Sequence, residues 1–81
     1  MELQLIKGHF AAQDAVNIIT SIIDVKIKYH EGKINAASSE EDIKMRERRI
    51  KQLQKELFQV RQHIGKKTGK ISLDSTINIL D

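Results

Sequence analysis

AVNIITSIIDVKI, residues 15–27, sets the problem that the rest of the chain must solve. Isoleucines stand in adjacent pairs, Ile18–Ile19 and Ile22–Ile23, with Val16, Val25 and Ile27 close by. At roughly 100° per residue, Ala12, Val16, Ile19, Ile23, Ile27 and His30 fall in one row of a helix. Ala11, Ala15, Ile18, Ile22, Val25 and Tyr29 fall in a second row beside it. The combined apolar arc covers roughly 200°, against a stripe somewhat over 100° on an ordinary surface helix. One partner helix cannot cover so wide an arc. Gln13, Asp14, Asn17, Ser21, Asp24 and Lys28 fill the polar remainder. Lys26 sits inside the arc, where its stem can pack while the ammonium reaches water. The pattern predicts a helix over residues 11–31, with Gly32 as the residue that ends it.

Downstream, the connection KINAAS leads into SSEED. There Ser38 with Glu41, or Ser39 with Asp42, has capping-box spacing, and the acids suit the positive end of a helix dipole. A second helix is expected over residues 39–64. Ile43, Ile50, Leu57 and Ile64 are seven apart, with Leu53 and Val60 three residues after the second and third. These are coiled-coil a and d positions, with Arg46 taking the first d. The seam is narrow and suits one principal partner. Gly65 is the expected stop, with Lys66 and Lys67 beside the negative end of the dipole.

Strand patterns flank the helices. In MELQLIK, Met1, Leu3 and Leu5 alternate with polar residues until Ile6 breaks the period, and Gly8 closes a strand over residues 2–7. In KISLDSTINIL, Ile71, Leu73, Ser75, Ile77 and Ile79 share one face of a strand over residues 70–79. The chain therefore reads as a single mainly α domain, residues 1–81, in the order β-α-α-β. Its centre is an antiparallel, coiled-coil-like helical hairpin. Folding it at about Asn35 sets Val16 near Leu57, Ile19 near Leu53 and Ile23 near Ile50.

Composition bounds the function. At 81 residues a single core is only marginally adequate, and small chains need a disulfide, a metal or another subunit. The absence of cysteine excludes disulfides and thiolate zinc sites. His9, His30 and His63 are scattered. The hairpin would bring His63 near His9, with Asp14 as a third donor, but nothing in the spacing demands a metal, and no cofactor is expected. HIGKKTGKIS fails as a phosphate loop: three residues separate its glycines, Ile71 follows the lysine, and helix and strand flank it in reversed order. No serine comes with an activating base, and no pair of carboxylates shares an apolar pocket, so no enzyme is expected. The longest apolar stretch is broken by Asp24 and Lys26 and is too short for a bilayer, and no secretory signal pattern opens the chain. A cytoplasmic protein that does not engage membranes is the expectation.

Two candidate surfaces remain. Covering the second row of the first helix suggests a homodimer that forms a four-helix bundle, with Ala15, Ile18, Ile22, Val25 and Tyr29 at the interface. A protein–protein interaction or scaffold role, with a partner the sequence does not name, follows from that reading. The alternative uses Lys44, Arg48, Lys51 and Lys55, which line one face of the second helix and could track nucleic-acid phosphates. Glu40–Lys44 and Glu47–Lys51 are spaced as neutralising pairs, aromatic residues make up only 4% of the chain, and net charge is only +3. Those features favour a solvated exterior.

Overall fold

The computed structural model describes residues 1–36 and 39–81. Strand β1 (Glu2–Ala11), helix α1 (Ala12–Ala36), helix α2 (Glu40–Gly65) and strand β2 (Lys70–Asn78) follow in that order. The two helices pack as a hairpin, and the two strands pair antiparallel as a ribbon at its open end. The β-α-α-β order read from the sequence is the order observed.

The boundaries differ in instructive ways. β1 does not end at Gly8 but runs on through Ala11, directly into α1. A carbon added at Gly8 would lie 3.5 Å from the Phe10 ring, an ordinary contact, so the Phe10 ring packs over Gly8 within the strand. Ile6, which breaks the alternation, is accommodated by a bulge. Leu3 pairs with Ile77 and Ile6 with Ser75, with Leu5 as the extra residue. Without that insertion Leu3 and Ile6 would lie on opposite faces. With it, both join the face of Ile71, Leu73, Ser75 and Ile77.

Helix α1 also outruns its expected end. Gly32 lies inside it, and the helix continues through the half-buried Ile34 to Ala36. Burying Ile34 against the hairpin offsets the roughly 1 kcal/mol that an interior glycine costs. The extra residues shift the helix register. Ile19 shares a groove with Val60 and Ile64 rather than facing Leu53, and His30 meets Arg46.

At the start of α2 the Ser39 hydroxyl accepts from the Asp42 amide at 3.1 Å, one of the two capping arrangements anticipated. Ser38 lies outside the described residues. Gly65 is the last residue of α2 but not a left-handed cap: Lys66 caps the helix in right-handed geometry, and the Lys67 amide donates to the Ile64 carbonyl. The positive φ belongs to Gly69, at 84°, where the chain turns into β2.

The molecule is thin. Its principal extents are 47 × 32 × 13 Å, and its radius of gyration is 15.3 Å against about 12 Å for a compact chain of this length. Among the described residues the buried side chains are Ala15, Ile23, Leu53 and Ile64, and of these only Ala15 is sealed completely. Leu53 and Ile64 are heptad positions of α2, and Ile23 is the centre of the first row of α1, so the seam read from the sequence is the seam that packs.

Candidate interaction surfaces

The second row of α1 is unevenly covered. Ala15 is 0% exposed within the single chain, and Ile18 and Ile22 are half-buried. Val25 is 69% exposed, and Tyr29 is exposed as well. Of the five residues assigned to an interface, Ala15 is thus already covered from within, and the free part of the row lies toward the hairpin tip.

Tyr29 is not bare there. The Arg46 guanidinium lies 5.7 Å from its ring centroid, the Lys33 ammonium is at the same distance, and the His30 ring meets it edge-on at 5.5 Å. Arg46 occupies the d position where a coiled coil would place a leucine. One of its terminal nitrogens donates to His30 Nδ1 at 3.1 Å, which requires the imidazole to present a lone pair at that atom. Its Nε is buried without a hydrogen-bond partner among the described residues, with the Asp42 carboxylate 3.9 Å away. This cluster ties the two helices together near the hairpin tip.

On α2, Lys44, Arg48, Lys51 and Lys55 are all exposed along one face, as their spacing requires. Lys44 is held 3.3 Å from Glu40, and Arg48 folds back to donate to the Lys44 carbonyl at 3.4 Å. The expected Glu47–Lys51 ion pair does not form among the described residues. Sequence reasoning passed over Phe58. It is 59% exposed and continues the spacing of the stripe one step beyond Lys55. Its position outside the a and d sites of the heptad was the available signal.

The largest apolar exposure is on the ribbon. Met1, Leu3, Leu5, Ile77, Ile79 and Leu80 are all exposed, at the end of the strand pair away from its junction with α1. Nearer the helices, a groove of about 630 Å³ opens between β2 and α2, with Ile19, Val60, Ile64, Ile71 and Leu73 as its apolar lining. It exists because β2 leans on α1 and makes little contact with α2. A smaller hollow of about 330 Å³ between the helices is rimmed by Lys26, His30, Met45 and Arg49.

No group of three side chains suited to holding a metal comes together among the described residues, and His9 pairs across the ribbon with Ser72. No helix among them is long and apolar enough to cross a membrane. Comparison with known protein families, curated proteins and solved structures finds no match for this chain.

Proposed function

We propose that this chain is a non-catalytic, cytoplasmic protein-interaction module that works as a homodimer. One observation carries the reading. The chain exposes 6460 Å² of surface, whereas a compact monomer of its mass exposes about 5,000 Å². The excess of about 1,500 Å² is more than the roughly 800 Å² that each partner hides in a standard interface. Ten large hydrophobic side chains among the described residues are exposed, and soluble monomers rarely leave contiguous apolar patches open.

A four-helix bundle built on α1 has a short contact row to use: Ile18, Ile22, Val25 and Tyr29, with Ala15 already enclosed. The ribbon offers six large apolar side chains and two free strand edges. Light scattering at micromolar concentration tests the homodimer itself. The expected result is twice the 9.3 kDa chain mass, and a monomer at every concentration up to that range would refute the reading.

The nucleic-acid reading keeps one observation in its favour, the exposed Phe58 at the end of the exposed basic stripe. A gel shift on mixed DNA and RNA decides it. Binding below about 1 µM at physiological salt, tighter than the ordinary non-specific range, would displace the interaction-module reading.

A further inference from the structure

The two free edges of the ribbon are not equivalent. β1 carries the bulge at Leu5 together with Lys7 and Gly8, and bulges and lysines are devices that keep edge strands from pairing with other chains. Between Ile71 and Ile79, β2 has no glycine, lysine or bulge. Met1 and Ile79 exchange both backbone hydrogen bonds, at 3.0 and 2.7 Å. By the alternation of an antiparallel ladder, residues 71, 73, 75, 77 and 79 therefore turn their amides and carbonyls toward β1. Those of Ser72, Asp74, Thr76 and Asn78 turn outward, where no strand among the described residues meets them.

We propose that β2 is the dimer strand: two copies pair antiparallel along their free β2 edges, with Ser75 opposite the partner's Ser75. The ribbons then join into one four-stranded sheet in the order β1-β2-β2-β1. This rests on the homodimer reading and names the surface that performs it. The sequence ISLDSTINI, residues 71–79, is symmetric in polarity about Ser75. Centred there, Ile71 faces the partner's Ile79 and Leu73 the partner's Ile77 on one side of the sheet. Asp74 faces Thr76, and Ser72 faces Asn78, on the other. A centre at Asp74 would oppose two carboxylates, which is destabilising. A centre at Leu73 would set Ile71 against serine and Ile77 against Gly69, and a centre at Thr76 would set Ile77 against serine. Only the Ser75 centre matches apolar to apolar throughout, and the two hydroxyls on the axis can bond each other.

The groove supplies the second, independent support. A strand added to the β2 edge lies about 4.8 Å beyond it, over the side where the groove opens between β2 and α2. Its Ile77 and Ile79, 41% and 47% exposed in the single chain, come alongside Leu73 and Ile71. There they meet Val60, Ile64 and Ile19. By the two-fold operation each copy fills the other's groove, so neither apolar surface is left over.

Single-cysteine variants test this directly, because the chain has no cysteine of its own. Residues facing each other at the axis form a non-hydrogen-bonded pair with Cα atoms about 4.5 Å apart, within disulfide range. Ser75→Cys should therefore crosslink nearly completely under mild oxidation at micromolar concentration, while Asp74→Cys, opposite Thr76, should not. Ser75→Cys is close to isosteric, and an unchanged far-ultraviolet dichroism spectrum checks that it folds. Ile22→Cys reports the helix-to-helix alternative. A dimer in which Ile22→Cys crosslinks and Ser75→Cys does not overturns the β2 interface and leaves the homodimer reading standing. A dimer in which neither crosslinks overturns the β2 register too, and a wild-type monomer overturns both proposals.

Discussion

Replacing Leu53 with alanine is the sharpest test of the hairpin seam. Leu53 sits at a d position of α2 and is 6% exposed, so its side chain gains nearly the full transfer energy of burial. Truncation to alanine removes about three methylene equivalents at roughly 0.8 kcal/mol each, or about 2.4 kcal/mol. A cavity term adds to this in a thick, rigid core, where leucine-to-alanine changes reach about 5 kcal/mol. Here the layer is only 13 Å through, and the hollow rimmed by Lys26 and Met45 adjoins Leu53. Neighbouring side chains and water can move into the space, which keeps the total at about 2–3 kcal/mol. For an 81-residue chain the entropy of unfolding is about 170 cal/mol/K, so the melting temperature should fall by about 15 °C. Phe58→Ala serves as the control. At 59% exposure in the single chain it should cost under about 1 kcal/mol by the same area reckoning. Urea denaturation of both variants at matched concentration measures the difference. A Leu53→Ala cost below about 1 kcal/mol would show that the seam does not carry the hairpin. A Phe58→Ala cost equal to that of Leu53→Ala would show that a partner covers the outer face of α2.

Two further outcomes follow from local geometry. Gly32 is helical, has negative φ and has open space around a would-be Cβ, so Gly32→Ala should stabilise the chain by about 0.5–1 kcal/mol; a drop in melting temperature would mean that the helix ends before it in solution. Replacing Lys44, Arg48, Lys51 and Lys55 together with glutamine should leave far-ultraviolet dichroism unchanged and move stability by no more than a few tenths of a kcal/mol per pair. Unfolding of that variant would contradict their role as solvated surface.

What the sequence disclosed depended on how strongly each signal was repeated. The heptads of α2 recur over three turns of the pattern, and the residues they select, Leu53 and Ile64 among them, are the ones that bury. The alternation of β2 is equally regular, and the strand expected over residues 70–79 is observed over Lys70–Asn78. Single-residue signals fared worse. Gly8 and Gly32 each suggested an end to an element, yet neither ends one, because a glycine penalty near 1 kcal/mol is outweighed when the following residues pack. That lengthening of α1 also moved the hairpin register, so that Arg46 came to sit against His30 and Tyr29. Ile6 was legible as a break in the strand but not as a bulge, since only the partner strand determines which face an inserted residue restores. The candidate surfaces were the least legible part. Breadth of the apolar arc on α1 implied that something covers it, but which face stays open depends on where the ribbon lies.

The open groove follows from a mismatch between the elements. α2 carries a seam one helix wide, α1 an arc nearly twice that, and β2 a face apolar except at Ser75. Among the described residues only α1 reaches both strands as well as the other helix, and its contact with the strands is slight, so the ribbon is joined to the hairpin mainly through α1 while β2 and α2 stay apart. With 40% apolar residues in the chain and only Ala15, Ile23, Leu53 and Ile64 buried among those described, the apolar content exceeds what one layer of two helices and two strands can hide. Enlarging such a layer within one chain would take another element. Doubling it by symmetry takes none, since the strand that leaves the groove open also carries, two and four residues beyond its centre, the isoleucines that can close it in a second copy.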